Sequence, residues 1–494
     1  MDQPIPERLR PEEGLTRVEA VMAAIEARIS GRALSPGAKL PSIRGLAESM
    51  GVSKSTVVEA YDRLLAQGSI VSRPGSGFYV ASRAQPLCLA SIGPRLDREV
   101  DPLWIARQSL EAGAAMLKPG CGWLPPDWMP DADLRRALRQ VGRERGSGLT
   151  DYDAPQGLPP LRQHLALRLS ERGIPAHPDQ IVLTDSTTQA LDLIGRFLLD
   201  PGDTVLVDDP CYFNFHALLR AHRVKVVGVP FGAGGPDLAA LEQALAAHRP
   251  RFYLTNSGLH NPTGASLTPA AVHRVLKLAE AHDTLIVEDD VYADFETEPG
   301  PRLAGFDGLE RVIHIGGFSK TLSAAARIGV IALRPDWVER LVDLKLAVSL
   351  SSGRLNAALI HRFLADGHYR HHLDAIRARL AEARGRAVAR LTEAGLSVPL
   401  VPKAGMFVWA KLPEGLDAAA ISRRALARGV VLAPGNVFSL SQGAGDHLRF
   451  NVAQCADPRV FSELERAMAG GGAADRNGSS RSAPISTRGI GDEV

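Results

Sequence analysis

One lysine in this sequence lies where its side-chain amine could be reactive. Lys320 follows an apolar run at residues 311–315 and two glycines, and Arg327 lies seven residues further on. The run predicts a buried strand, and the glycines predict a turn that ends it. Reduced solvation and a nearby cation lower the pKa of a lysine, so its neutral amine can attack a carbonyl group and form a Schiff base. A lysine in this position is also common on a solvated surface, so the other polar residues decide between the two interpretations.

Those other residues follow further predicted strands. Residues 181–184, 204–207, 224–229, 252–255, 284–287, 311–315 and 328–333 are apolar runs separated by helical patterns. This alternation predicts an α/β domain with a mostly parallel sheet, extending over residues 111–470. Ligands of such sheets collect at the carboxyl ends of the strands, and each run ends in polar or glycine-rich residues. The polar residues are therefore expected to converge on one site.

The converging residue types fit pyridoxal 5'-phosphate. That cofactor needs an amine, donors for a phosphate, a carboxylate for the ring nitrogen, donors for the phenolic oxygen and a flat cover for the ring. Lys320 offers the amine, and Asp289 the carboxylate. The phosphate donors are Ser186, Thr187 and Thr188 at a helix N-terminus, together with Arg327. Tyr292 and Asn261 offer donors for the phenolic oxygen, and Tyr212 offers the flat cover. Each alone has an ordinary structural explanation as a helix cap, a solvated loop or a core residue. Jointly, and in this order, they predict a cofactor site.

The N-terminal residues 12–80 predict a separate module. Helical patterns begin at Thr16 and near residue 42, and Ser53 can cap a third helix. Two short strands around residues 73–77 then form a small wing, so the module has the pattern of a winged helix-turn-helix. The start of the third helix is expected in the major groove, with basic residues on the DNA backbone at either side. The predicted DNA-binding residues are Arg44, Ser53, Lys54, Ser55, Thr56, Arg73 and Gly75.

Composition bounds the remaining possibilities. The formal net charge of the 494-residue chain is +2, so nucleic-acid binding must come from a local patch, and a three-helix protein-interaction module is the alternative for residues 12–80. No apolar run approaches the roughly 20 residues of a membrane helix, and a cytoplasmic location is expected. The four cysteines show no metal-ligand spacing, and no metal is expected. Residues 81–110 are expected to be a linker and residues 471–494 a disordered tail.

Two sets of motifs resemble known families. Leu40-Pro41-Ser42, Gly51-Val52-Ser53-Lys54 and the series from Arg73 to Val80 resemble the winged helix of GntR-type bacterial regulators. The motifs at residues 260–264, 288–292, 319–327 and 448–450 resemble those of fold-type I, class I/II aminotransferases. The second resemblance implies a mostly parallel large domain with a smaller C-terminal α+β domain, built mainly from residue 341 onward. It also implies Lys320 as the internal aldimine, Arg449 as the anchor of a substrate carboxylate, and Tyr152 reaching the phosphate of the other subunit in a homodimer.

The combined layout resembles the MocR subfamily of GntR-type regulators. The resemblance implies a transcription regulator that binds operator DNA and senses an amino compound, or pyridoxal phosphate itself, by aldimine exchange at Lys320. Two departures from the aminotransferase pattern concern the phosphate cup, namely the series Asp185-Ser186-Thr187-Thr188 and the glycine at position 317. The acidic side chain of Asp185 is expected to point away from the phosphate. A catalytically active aminotransferase with an accessory DNA-binding domain is the alternative function, and an inert fold is a third possibility.

Overall fold

The computed structural model describes residues 16–30, 34, 37–73, 75–81, 102–111, 113, 115–144 and 149–470. The chain divides into two compact units, Met1–Cys88 and Leu89–Val494, each described separately below. The expected tail at 471–494 and residues 82–101 of the expected linker lie outside the described residues.

The first unit has the predicted winged helix-turn-helix elements. They are α1 (Arg17–Ser30), α2 (Ile43–Met50), α3 (Lys54–Ala66), β1 (Ile70–Arg73) and β2 (Gly77–Val80). Ser53 accepts a hydrogen bond from the Thr56 backbone N–H at 3.1 Å and so caps α3. Gly51 ends α2 at a φ of +64°, a left-handed conformation that favours glycine. Val57, Tyr61 and Leu64 of α3 are fully buried in the core of this unit.

The second unit contains an eight-stranded mixed sheet. Its strands are β3 (Ile181–Thr184), β4 (Thr204–Asp209), β5 (Lys225–Gly232), β6 (Gly235–Pro236), β7 (Phe252–Thr255), β8 (Leu285–Asp289), β9 (Val312–Gly317) and β10 (Gly329–Ala332). They lie in the order β3-β10-β9-β8-β7-β4-β5-β6. The pairings among β5, β4, β7, β8 and β9 are parallel, while β10 is antiparallel to both of its neighbours and β6 is antiparallel to β5. The mostly parallel α/β fold is therefore confirmed.

Helices cover both faces of this sheet. They are α4 (Pro102–Glu111), α5 (Asp131–Arg143), α6 (Pro159–Glu171), α7 (Thr187–Leu198), α8 (Phe213–Ala221), α9 (Leu238–His248), α10 (Pro269–Ala281), α11 (Leu303–Asp307), α12 (Pro335–Ser349) and α13 (Arg354–Ala365). Neighbouring strand residues such as Leu206 and Val207 belong to different core clusters. Because both faces are buried, the strands read as continuous apolar runs in the sequence.

A smaller sheet forms a third core. It comprises β11 (Phe407–Lys411), β12 (Ala433–Pro434) and β13 (His447–Asn451), all antiparallel, with α14 (His368–Glu393), α15 (Ala418–Leu426) and α16 (Arg459–Ala469). The expected start at residue 341 is corrected, because Leu341 and Ile360 are buried in cores of the large sheet. The helical contribution of α14 to the smaller core begins at Ile376.

The stretch expected to be a linker contains a helix. Helix α4 begins within residues 81–110, ends at Glu111 and packs against α8. Proline at its first position is favourable, because that position has no intrahelical hydrogen bond to lose. Within the described residues, no helix combines the length and the apolar character needed to cross a membrane.

Candidate functional site

The predicted cofactor residues surround a cavity of about 530 Å³ in the second unit. Strands β3, β8 and β9 and the chain that follows them supply much of its wall. The structure brings together eight predicted residues in this wall, namely Ser186, Thr187, Thr188, Tyr212, Asp289, Tyr292, Lys320 and Arg327. The site therefore lies where parallel strands end, as the sequence predicts.

A second cavity, of about 130 Å³, adjoins the first and shares Tyr212, Tyr292 and Lys320 with it. Its own wall includes Asn261 and Arg449, which are two further residues expected near the cofactor and the substrate. Lys320 thus lies at the boundary between a larger and a smaller compartment. The remaining residues common to both cavities are Ser109, Leu110 and Trp123.

Lys320 has the properties of an activated amine. It lies in the turn after β9, and its Nζ donates a hydrogen bond to the Gly122 carbonyl oxygen at 2.9 Å. Burial and, next, the Arg449 guanidinium lower the pKa of Lys320 to about 8. The neutral, nucleophilic amine is therefore populated close to neutral pH.

The three consecutive carboxylates at the end of β8 have three different roles. Glu288 accepts hydrogen bonds from the Leu303 and Ala304 N–H groups at 2.8 and 2.9 Å, at the start of α11. Asp290 lies 2.8 Å from Arg302 Nε in a buried ion pair, and this arginine, with His314, holds the pKa of Asp290 below its ordinary range although burial opposes it. Only Asp289 lines the larger cavity, and burial raises its pKa to about 6. The carboxylate predicted for the ring nitrogen is thus the one that faces the site.

The residues predicted to bind the phosphate lie at the start of α7. Ser186 Oγ accepts a hydrogen bond from the Gln189 N–H at 3.0 Å, so this residue is the helix cap, and Thr187 and Thr188 begin the helix. A helix N-terminus with hydroxyl groups suits an anion. Asp185 Oδ1 accepts from the Gly353 N–H at 3.3 Å, and Asp185 is not among the residues lining either cavity. Its carboxylate therefore has a partner outside the cup.

The two departures from the aminotransferase pattern are complementary in space. A Cβ atom at Gly317 would lie 2.9 Å from Thr187 Oγ1 and 3.0 Å from the Ile328 carbonyl oxygen. These separations are too short for ordinary contacts with the threonine hydroxyl and the fixed backbone. The threonine side chain thus fills the space that a side chain at position 317 would need.

Arg449 is buried at the smaller cavity and is only partly satisfied. Its Nη1 donates to Asn261 Oδ1 at 2.8 Å and its Nη2 to the Gly120 carbonyl oxygen at 2.7 Å. The guanidinium also lies 4.3 Å from the ring centroid of Phe407 and 4.7 Å from that of Phe438. The Nε atom is buried without a hydrogen-bond partner. Burial lowers the pKa of Arg449, and an anionic ligand would offset that cost.

An unpaired polar atom in the wall of the larger cavity supports a bound cofactor there. Asn256 lines that cavity, donates through Nδ2 to the Asp289 carbonyl oxygen at 2.8 Å, and leaves its buried Oδ1 without a partner. Asn261 Nδ2 donates to the Tyr292 hydroxyl at 3.2 Å, which aligns the two groups expected at the phenolic oxygen. Buried polar groups normally have partners, so an unpaired polar atom in a cavity wall fits a polar ligand that binds there. The residues present fit pyridoxal phosphate.

The predicted DNA-binding residues lie on the surface of the first unit. Six of them are exposed, namely Arg44, Ser53, Lys54, Ser55, Arg73 and Gly75. Thr56 is half-buried, and its Oγ1 lies 2.8 Å from the Ser53 hydroxyl. Arg44 pairs with Glu48 at 2.9 Å, and the Arg73 guanidinium lies 4.4 Å from the ring centroid of Tyr79. These basic groups are held in place yet remain accessible.

Comparison with known proteins agrees with this geometry. Residues 126–464 match the family Aminotransferase class I and II, and residues 17–80 match the gntR family of bacterial regulatory proteins. The uncharacterized HTH-type transcriptional regulator YdcR of Escherichia coli is 32% identical over 89% of this chain and 95% of its own length. The probable rhizopine catabolism regulatory protein MocR of Rhizobium meliloti is 30% identical over 83% of this chain and 84% of its own. The chain belongs to the MocR subfamily of GntR-type regulators.

A solved structure gives the same fold for the body of this MocR-type chain. It is that of LysN, an α-aminoadipate aminotransferase from Thermus thermophilus in complex with N-(5'-phosphopyridoxyl)-L-leucine. The match has a TM-score of 0.68 and 31% identity, and it covers 74% of this chain and 94% of LysN. The fold-type I architecture implied by the sequence motifs is therefore confirmed.

Several residues of the site in this MocR-type chain were not predicted from the sequence. Asn256 directly follows β7, so its position after a predicted strand was the signal that could have found it. Gly120 and Gly122 contribute backbone carbonyls, which no side-chain pattern reveals. Ser109 and Leu110 come from α4, in the stretch expected to be a linker. Tyr152, by contrast, is 77% exposed and is not among the residues lining either cavity of the single chain.

Proposed function

We propose that this chain is a transcription regulator that binds pyridoxal phosphate through Lys320 and senses an amino compound, or the cofactor itself, at that lysine. The observation that carries the proposal is the meeting of Lys320, Asp289 and the α7 N-terminus around one cavity, in a chain that also has a winged helix. The cofactor supplies an aldehyde that bonds to amines and a ring that accepts electrons. The protein supplies the groups that hold and orient it.

Each group then has a defined task. Ser186, Thr187, Thr188 and Arg327 bind the phosphate. Asp289 balances the charge of a protonated ring nitrogen, and that cation in turn relieves the cost of burying the carboxylate. Tyr292 and Asn261 donate to the phenolic oxygen, and Tyr212 covers the ring.

The effector binds across the boundary between the two cavities. Lys320 would hold the cofactor, whose aldehyde can also bond to the amine of an effector, and Arg449 would bind a carboxylate of the same effector molecule. Lys320 donates a hydrogen bond to the Gly122 carbonyl oxygen, and Arg449 donates one to the Gly120 carbonyl oxygen. Both acceptors lie in the short segment 120–122. Engagement of the two cations by ligand thus changes the contacts of residues 120–122, which lie shortly after α4.

We further propose that the chain acts as a cytoplasmic homodimer on operator DNA. Tyr152, with 77% exposure, is free to reach the phosphate of the partner subunit. Arg44 and Arg73 bind the DNA backbone at either side. The residues that meet base edges and phosphates are Ser53, Lys54, Ser55 and Thr56. Effector binding then changes the affinity for the operator by the same factor by which operator binding changes the affinity for the effector.

A footprint on the neighbouring promoter tests the regulator. Operator protection is measured as a function of salt with the cofactor-loaded protein, in the presence and absence of candidate amines. We expect a salt-dependent footprint that an effector shifts, and no such shift in Lys320→Ala. Lys277→Ala is the matched control, because Lys277 is 61% exposed on α10 and lines neither cavity of the site. A footprint that responds to amines equally in Lys320→Ala contradicts the proposal.

One observation favours a second function, that of a working aminotransferase. The pKa of Lys320 near 8 leaves a free amine able to carry a proton at the α-carbon of a bound substrate, as that chemistry requires. Sustained conversion of an amino donor and a keto acid over many turnovers supports this alternative. Conversion that stops after one equivalent per site supports the sensor.

A further inference from the structure

Two side chains from outside both cavities hold the backbone beside Lys320. Lys320 lies in a turn, so no strand or helix fixes its backbone. The next residue, Thr321, is fully buried and contacts the start of α14. The Tyr369 hydroxyl lies 2.7 Å from Thr321 Oγ1, and His372 Nε2 lies 2.7 Å from the Thr321 carbonyl oxygen. Neither Tyr369 nor His372 is among the residues that line the two cavities.

The donors and acceptors in these contacts can be assigned. A carbonyl oxygen only accepts, so His372 Nε2 carries a hydrogen and donates it to Thr321. Tyr369 has one hydroxyl hydrogen, which it donates to Asp294 Oδ2 at 2.5 Å. The Tyr369 oxygen therefore accepts from the Thr321 hydroxyl. The hydrogen bonds thus run in one direction, from Thr321 through Tyr369 to Asp294.

Asp294 anchors this chain of hydrogen bonds. Its carboxylate is buried and pairs with Arg168 at 2.5 Å and with Arg172. Burial opposes ionisation, but the two guanidinium groups hold the pKa of Asp294 below its ordinary value. An ionised carboxylate is a strong acceptor for the Tyr369 hydroxyl. The position of Tyr369 is therefore fixed from the side opposite to Thr321.

Tyr369 also connects two segments that carry the site. Its hydroxyl binds the residue after Lys320, and its ring packs edge-on against Phe318, two residues before Lys320, with 6.0 Å between the ring centroids. Its partner Asp294 lies two residues after Tyr292, which lines both cavities. The turn that bears Lys320 is thus held in place relative to the segment that bears Tyr292.

We propose that Tyr369 and His372 are positioning residues that hold the Lys320 amine at the boundary between the two cavities. Both act through Thr321 and not by lining the site. A lysine side chain is long and flexible, so the place of its amine depends on the backbone that bears it. A displacement of about 1 Å can cost on the order of 100-fold in rate. The inference rests on the proposed binding of pyridoxal phosphate at Lys320.

Two forms of the cofactor test this role in Tyr369→Phe, which keeps the ring and removes the hydroxyl. Pyridoxal phosphate bonds to the Lys320 amine with release of water, and visible absorbance follows the rate. Pyridoxamine 5'-phosphate carries an amine in place of the aldehyde and forms no such bond, so calorimetry measures its affinity for the rest of the site. We expect the rate of pyridoxal phosphate uptake to fall about tenfold or more, while the affinity for pyridoxamine phosphate is unchanged.

Tyr61→Phe is the matched control. Tyr61 is a buried tyrosine of the first unit, and its hydroxyl donates to the Pro41 carbonyl oxygen at 2.9 Å. This variant loses the same chemical group at a position that lines neither cavity. It should change neither the uptake of pyridoxal phosphate nor the binding of pyridoxamine phosphate.

Thr321→Val removes the same hydrogen bond from its donor and leaves the bond between Tyr369 and Asp294 in place. It should slow uptake as Tyr369→Phe does, and the double variant should be no slower than Tyr369→Phe alone, because both changes remove one interaction. His372→Ala should also slow uptake, and His372→Gln, which keeps a donor, should recover part of the rate.

The outcomes separate this inference from the proposed function. Equal losses for the two forms of the cofactor, or an unchanged rate in Thr321→Val, overturn the inference alone. If the chain without any substitution takes up no pyridoxal phosphate, the proposed function is overturned with it.

Discussion

Replacing Asp289 by asparagine should stabilise the cofactor-free chain and weaken its hold on the cofactor. Burial raises the pKa of Asp289 to about 6, from an ordinary value of about 3.9. The folded chain therefore holds this proton more tightly than the unfolded chain does. Stability falls as pH rises from about 4 to about 6, and the loss is complete above that window. At roughly 1.4 kcal/mol per pKa unit, the charge costs the folded chain about 3 kcal/mol at pH 7.5.

Asparagine avoids that cost and can keep the local contact. Its side-chain oxygen can still accept the hydrogen bond from the Val291 N–H, which Asp289 Oδ1 accepts at 3.1 Å. For a unit of about 400 residues, 3 kcal/mol corresponds to a rise of about 4 °C in Tm. Thermal unfolding without cofactor at pH 7.5 and pH 4 measures this rise, which should disappear at the lower pH. Cofactor affinity, followed by absorbance, should fall at least tenfold, because asparagine cannot balance a protonated ring nitrogen.

The neighbouring carboxylate is the control with the opposite sign. Asp290→Asn breaks the buried pair with Arg302, and loss of one partner of such a pair costs about 3–5 kcal/mol. This variant should therefore unfold at a lower temperature at pH 7.5. The reasoning is refuted if Asp289→Asn gains no stability at pH 7.5, or if its gain is unchanged at pH 4.

Three further predictions concern the cup, the lysine and the DNA-binding unit. Gly317→Ala should lower cofactor affinity in an absorbance titration, because its Cβ would lie 2.9 Å from Thr187 Oγ1 and 3.0 Å from the Ile328 carbonyl oxygen. The rate of cofactor uptake should rise as pH increases through about 8, where Lys320 loses its proton, and a pH-independent rate would contradict the lowered pKa. Ser53→Ala should destabilise the first unit by about 1 kcal/mol through loss of the α3 cap, whereas Lys54→Ala should leave its stability unchanged and reduce the salt dependence of DNA binding.

The order of elements could be predicted because its causes are local. Apolar runs bounded by glycine or polar residues specify strands buried on both faces, and residues 181–184 and 252–255 match β3 and β7 at both ends. Capping also depends on residues close in sequence, so Ser53 marked the start of α3. The candidate site residues could be predicted from local sequence for the same reason, because polar side chains lie at the ends of the strands.

Tertiary packing decided what each of those residues faces. Glu288, Asp289 and Asp290 are consecutive carboxylates, and their roles as helix cap, cavity wall and ion-pair member depend on α11 and Arg302, which lie more than ten residues further along the chain. The fit of Thr187 against Gly317 and the entry of α4 into the wall likewise arise from contacts across the fold.

Sequence determined which groups are available and where strands and helices begin, because hydrophobic period and capping act over a few residues. Only the folded chain determined their partners, burial and pKa values, because those depend on atoms brought together from remote segments.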